Sequence, residues 1–72
     1  MEDRKVTNKD LVFGRRLQRV RKRMNFTQEK LADEVRLSTT FIGLIETGRR
    51  RPSLKSLQKI AVVLGVNIKE LF

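Results

Sequence analysis

Between Thr27 and Gly48 the apolar positions repeat at helical spacing twice, with a short break between the two runs. Leu31, Ala32 and Val35 share one face of a first helix, and Ile42 and Ile45 share one face of a second. Leu37 stands in the break and fills the corner. Ala32 matters because a larger side chain would hold the two helices apart, whereas a methyl group lets them cross closely. Two helices joined by so tight a corner turn the far side of the second one outward.

The same spacing argument extends to the rest of the chain. Helix 1 is expected from near Leu11 to Met24, burying Phe13, Leu17 and Val20, and Asn25 ends it because asparagine tolerates left-handed backbone. Thr27 caps helix 2 and Ser38 caps helix 3, each hydroxyl accepting an early backbone N–H, with Glu29 placed to favour the positive end of the helix 2 dipole. Gly48 lies where helix 3 stops, and Pro52 disfavours helix at the residue before it. Ser53 then caps helix 4, whose stripe is Leu54, Leu57, Ile60, Ala61 and Leu64, and Gly65 closes it. Asn67 to Glu70 reads as a capping box opening a short fifth helix. No strand, internal repeat or low-complexity tract interrupts this pattern. The expected fold is all-α, a compact five-helix bundle over residues 11–72, preceded by a mobile arm or loose helix over residues 1–10.

Composition removes whole classes of function. At 72 residues the chain is one small domain whose core is marginal, so every apolar face is needed. Without cysteine or histidine there is no disulfide, no thiolate or imidazole metal site and no Ser/His or Cys/His pair. No cofactor and no enzymatic activity are expected. No apolar run approaches the roughly 20 residues that span a bilayer, and the N-terminus lacks an apolar signal core. A soluble cytoplasmic protein is expected, without membrane contact and without a small-molecule ligand.

The formal net charge of +9 changes the picture further because it is uneven. Residues 11–26 carry six basic side chains and no acidic one, residues 27–35 carry one basic and three acidic, and Arg49, Arg50 and Arg51 form a second basic knot. An asymmetric positive field recruits polyanions through counterion release. Nucleic acid is therefore the leading partner class. For Arg15, Arg19 and Arg23 taken singly, simple solvation of a helix face accounts for the charge equally well.

These elements together resemble the helix-turn-helix family of the phage lambda repressor and Cro proteins, the Xre family, over residues 13–72. The resemblance is carried by Phe13-Gly14 with Leu17 and Arg21, Thr27-Gln28-Glu29 with Leu31-Ala32, then Ile42, Glu46 and Gly48, Pro52-Ser53-Leu54, and Leu64-Gly65-Val66 before Glu70-Leu71. It implies that helix 3 enters the DNA major groove while the start of helix 2, at Thr27 and Gln28, rests on the phosphate backbone. Gln28 matches the glutamine that holds a phosphate and buttresses helix 3. Thr39, Thr40, Gly43 and Leu44 match the positions that face base edges, counted from the Ser38 cap. Arg21 and Glu46 match a structural ion pair tying helix 1 to the end of helix 3.

Where this chain differs from its apparent family, the differences have consequences. Thr39, Thr40 and Leu44 lack the amide and guanidinium groups that make bidentate contacts to adenine or guanine, so a reading biased toward A·T steps and DNA shape is expected. Phe41 can either cover the edge of helix 2 or lie against a sugar or base, and packing is preferred. Arg49, Arg50 and Arg51 follow helix 3, where the resemblance implies phosphate and sometimes base contacts. Arg50 is the strongest candidate for a long-reach base or minor-groove contact, and generic phosphate attraction accounts at least as well for Arg49 and Arg51. Arg36 occupies a corner where the family usually has glycine, so either the turn differs or left-handed strain is accepted.

Family members usually bind inverted repeats as twofold dimers, so a homodimer on double-stranded DNA is implied. Val62, Val66, Ile68, Leu71 and Phe72 offer more apolar surface than one short bundle buries and are the candidate dimer interface. For Val66 and Leu71 core filling is the preferred alternative. The leading function is a stand-alone transcription regulator, Cro-like or similar to the short controller proteins of restriction–modification systems. Two other readings stay open: a nonspecific DNA- or RNA-binding protein, and an antitoxin or adaptor that masks a partner protein.

Overall fold

Each helix begins where a short polar side chain takes up an early backbone N–H. The structure, a computed structural model, describes residues 5–72. The chain forms α1 (Asn8–Arg23), α2 (Gln28–Val35), α3 (Thr39–Glu46) and α4 (Leu54–Leu64), followed by a 3-10 turn at Ile68–Leu71. Thr27 Oγ1 accepts from the Lys30 N–H at 3.0 Å, Ser38 Oγ from Phe41 at 3.0 Å and Ser53 Oγ from Ser56 at 3.1 Å. All three were expected as caps. Asn67 and Glu70 form the expected capping box, but the segment they open spans four residues and closes with tighter 3-10 geometry. The described bundle therefore has four α-helices rather than five.

The start of α1 differs from expectation by three residues. Thr7 Oγ1 accepts from the Asp10 N–H at 3.2 Å, while Asp10 Oδ2 accepts from the Thr7 N–H at 3.0 Å. This capping box draws Asn8, Lys9 and Asp10 out of the expected arm and into the helix. Apolar periodicity could not show it, because the first turn is started by polar caps rather than by burial. Residues 1–4, the remainder of that arm's beginning, lie outside the described residues.

Left-handed residues stop the helices. Asn25 (φ 66°) follows α1, Arg36 (φ 61°, ψ 44°) follows α2 and Gly65 (φ 73°) follows α4. At the corner between α2 and α3 the Leu37 N–H donates to Ala32 O at 2.9 Å and the Arg36 N–H to Asp33 O at 3.3 Å, satisfying the last carbonyls of α2. Of the two alternatives for Arg36, the chain keeps the left-handed turn and accepts its strain.

The corner turns both apolar faces inward. Leu31, Ala32 and Val35 of α2 meet Ile42 and Ile45 of α3 in a core completed by Leu17, Val20, Leu57, Ile60, Ala61, Leu64 and Leu71. Helix α1 crosses α3 without a side chain between them at Gly14. A Cβ built there would stand 2.3 Å from Glu46 O, inside any allowed contact, so only glycine permits this approach. Leu71, among the candidates for a dimer interface, takes the preferred alternative of core filling: it is 0% exposed and not available to a dimer partner. Val66 and Ile68 are half-buried against the same core, whereas Val62 and Phe72 are exposed.

Candidate nucleic-acid interface

Helix α3 is held so that, among the described residues, one side of it is left open. Ile42 and Ile45 are fully buried, which leaves Thr39 and Thr40 exposed and Gly43 and Leu44 half-exposed. These are the side chains expected to face base edges. Phe41 takes the packing alternative, half-buried against the core. The Thr27 and Ser38 hydroxyls are exposed at their helix starts and serve as caps.

What aims α3 is a buried carboxylate. Glu46, 6% exposed, accepts from Arg21 Nε at 2.6 Å and Nη2 at 3.1 Å, and from Gln28 Nε2 at 3.0 Å. Arg21 Nη1 also donates to Phe26 O at 2.7 Å, beyond the end of α1. Two parallel bonds from a planar guanidinium set direction as well as distance, so α1, α2 and α3 are keyed together at one point. An unpaired carboxylate there would be costly, and this one has three donors. No buried side-chain polar atom among the described residues lacks a partner.

Gln28 donates from its amide nitrogen to Glu46 and so ties the start of α2 to the end of α3. Its side chain lies beside Gly43, where an added Cβ would stand 3.8 Å from Nε2 and 3.9 Å from Oε1. So Gln28, Gly43, Glu46 and Arg21, distant in sequence, form one cluster at the base of α3.

The structure sorts the basic residues by what they already hold. Arg16 donates to the Phe72 carbonyl, Arg23 pairs with Glu70 at 2.9 Å, and Arg51 Nε pairs with Asp10 Oδ1 at 2.9 Å. Arg49 and Arg50 are exposed directly beyond α3, and their backbone N–H groups return to Leu44 O at 2.8 and 3.3 Å. Lys22, Asn25, Thr27, Gln28 and Thr39 line a shallow depression between the end of α1 and the starts of α2 and α3. Donors thus lie near both ends of α3, with the Glu29 carboxylate among them on the α2 side. The expectation from sequence omitted Thr7 and Asp10, and with them the pairing of Asp10 to Arg51. The Thr-x-x-Asp spacing at Thr7 was the available signal for the first two.

Among the described residues no cluster of acidic, His or Cys side chains can hold a metal ion, and no helix is long and apolar enough to cross a membrane. A tight two-helix corner, a buttressed second helix with an open face and an all-helical core define a helix-turn-helix domain. The family model for helix-turn-helix proteins matches residues 17–71, and the chain belongs to this family, in its Xre-like form.

Its relatives place it more narrowly. It is 43% identical over 67 residues to control protein C.BamHI of Bacillus amyloliquefaciens, covering 92% of this chain and 83% of that protein. It is 39% identical over 61 residues to control protein C.MunI of a Mycoplasma species, covering 83% and 82% of the two chains. The fold superimposes on the crystal structure of the restriction–modification controller protein C.AhdI from Aeromonas hydrophila with a TM-score of 0.88 and 33% identity, over 92% of this chain and 100% of that one. These relatives are controller proteins, not enzymes.

Proposed function

We propose that the chain is a sequence-specific transcription regulator of the cytoplasm that binds an inverted-repeat operator in double-stranded DNA as a homodimer. The observation that carries this reading is the open side of α3, where Thr39, Thr40, Gly43 and Leu44 face away from a core that Ile42 and Ile45 anchor. Its kinship with controller proteins supports the regulatory role. The solved structure of the biofilm regulator SinR in complex with DNA, 27% identical with a TM-score of 0.76 over 82% of this chain and 95% of that one, supports the ligand.

The roles follow from chemistry. Thr39 and Thr40 offer one hydroxyl each and a methyl group, and Leu44 offers only apolar surface, so the major-groove contact favours thymine methyls over bidentate purine recognition. Gln28 and the Thr27 backbone approach phosphate at the start of α2, where the helix dipole is positive. Arg49 and Arg50 supply long donors for phosphate or a narrow minor groove. One helix reads only a few base pairs, and Val62 (79% exposed) and Phe72 (64% exposed) provide apolar surface for a second copy. Val66 and Ile68, half-buried, remain candidates for the same interface.

Selection of bound duplexes from a random DNA library tests the whole reading. An enriched inverted repeat with half-sites about one helical turn apart is the expected result. Recovery of unrelated sequences at equal affinity would sink it in favour of nonspecific nucleic-acid binding.

A further inference from the structure

The loop after α3 is fastened to the start of α1, and nothing in the contact with DNA described above requires that. Asp10 is only 7% exposed although it lies in the first turn of a surface helix. Its Oδ2 accepts from the Thr7 N–H at 3.0 Å and the Thr7 hydroxyl at 2.9 Å, and its Oδ1 accepts from Arg51 Nε at 2.9 Å. Gly48 presses on the same turn. With φ at 80°, it brings the backbone so close that an added Cβ would stand 3.2 Å from the Asp10 carbonyl carbon and 3.1 Å from Val6 Cγ1.

Arg49 and Arg50 are therefore suspended between two anchors. Gly48 is packed on α1 before them, and Arg51 is paired to α1 after them. Their own N–H groups share one acceptor, Leu44 O, so the loop has a single compact course. A long side chain on a loose loop loses conformational freedom when it binds, and a fixed loop removes much of that loss beforehand.

We propose that Asp10 and Arg51 are positioning residues for DNA recognition: their ion pair fixes the loop that carries Arg49 and Arg50, and Arg51 itself does not contact phosphate. This rests on the DNA-binding reading above. It separates Arg51, whose guanidinium reaches back to Asp10, from the neighbouring Arg49 and Arg50, which look like it in sequence.

Amide hydrogen exchange in the full chain without DNA tests the fastening alone. In Arg51→Ala and in Asp10→Asn, exchange at Arg49 and Arg50 is expected to rise about tenfold. Thr7→Ala removes the cap hydroxyl but keeps the partner of Arg51, so it is expected to lower thermal stability while those two amides stay protected. Unchanged exchange in the first two variants, or an equal rise in Thr7→Ala, overturns the proposal.

The affinity ratio for the selected duplex over a scrambled one, at fixed salt, tests the consequence. It is expected to fall about tenfold in both Arg51→Ala and Asp10→Asn, although one lowers the positive charge of the protein and the other raises it. A plain charge effect would move scrambled-duplex affinity in opposite directions and leave the ratio unchanged, which overturns the proposal. So does a salt dependence in Arg51→Ala that is shallower by about one unit of log slope, the mark of a lost phosphate contact. Failure of the wild-type chain to prefer any duplex would refute the proposed function instead, and the exchange rates would still decide whether the pair holds the loop.

Discussion

Arg36 and Asn25 both adopt left-handed backbone, at φ 61° and 66°, but they do not bear it equally. Asparagine enters that region readily, whereas a residue like arginine is strained there by about 1–2 kcal/mol. The Arg36 side chain is exposed and forms none of the packing that holds the corner. Arg36→Gly is therefore expected to raise the melting temperature by about 4–8 °C, the shift that about 1 kcal/mol produces in so small a domain. Calorimetry checks this directly. Glu46 presents the opposite case, because its value lies in its partners. In Glu46→Gln the guanidinium of Arg21 stays buried opposite a neutral amide, and a loss of about 2–3 kcal/mol in denaturant unfolding is expected together with weaker operator binding. Wild-type stability in that variant would show that the pair does not hold the fold.

At the scale of the element, α3 joins two demands that pull its composition in different directions. Its inner face needs Ile42 and Ile45 for the core, and its eight residues leave few outward positions. Gly43 takes one of these despite its poor helix propensity. The nearest atoms to an added Cβ would be those of Gln28 at 3.8 and 3.9 Å, ordinary contact distances, so nothing inside the protein demands glycine here. Gly43→Ala is expected to stabilise the chain by about 0.5–1 kcal/mol and to lower operator affinity, because a methyl group would stand between helix and bases. Unchanged affinity in a filter or fluorescence titration would remove Gly43 from the reading face. Thr40→Ala carries the complementary expectation: altered sequence preference in a repeated library selection, with nonspecific affinity nearly intact. Gly14 shows a different use of the same residue type, since its missing Cβ is what lets α1 touch the end of α3.

For the whole molecule, the charge of +9 is less available than it looks. Arg16, Arg21, Arg23 and Arg51 are engaged within the fold, and Lys30 pairs with Glu34 at 3.3 Å. The Arg23–Glu70 and Lys30–Glu34 pairs, exposed on both sides, add little stability, whereas Asp10 and Glu46 hold their arginines from buried positions. The apolar surface is similarly uneven. Phe72 stacks obliquely on Phe13 with ring centroids 5.2 Å apart yet remains largely exposed, as does Val62 on α4. Val62→Glu is expected to leave monomer stability within about 0.5 kcal/mol, as surface changes usually do, and to abolish a dimer. Sedimentation at micromolar concentration reads this; an unchanged dimer would place the interface elsewhere.

Much of this protein was legible along the chain because the forces involved are local or periodic. Burial at helical spacing located α2, α3 and α4, and the hydroxyls of Thr27, Ser38 and Ser53 marked their starts, while at Arg36 the chain marked the corner but left open whether the turn differs or is strained. The outward set Thr39, Thr40 and Leu44 was implied by the inward set. What the chain alone left open depends on groups that meet only after folding. Periodicity cannot tell a core leucine from an interface one when both are apolar, and Leu71 was settled by the volume that the other helices leave for it. Nor can it tell which of three consecutive arginines is used up. That was decided by Asp10, some forty positions earlier, whose carboxylate reaches Arg51 where the close approach at Gly48 brings the loop after α3 against the start of α1.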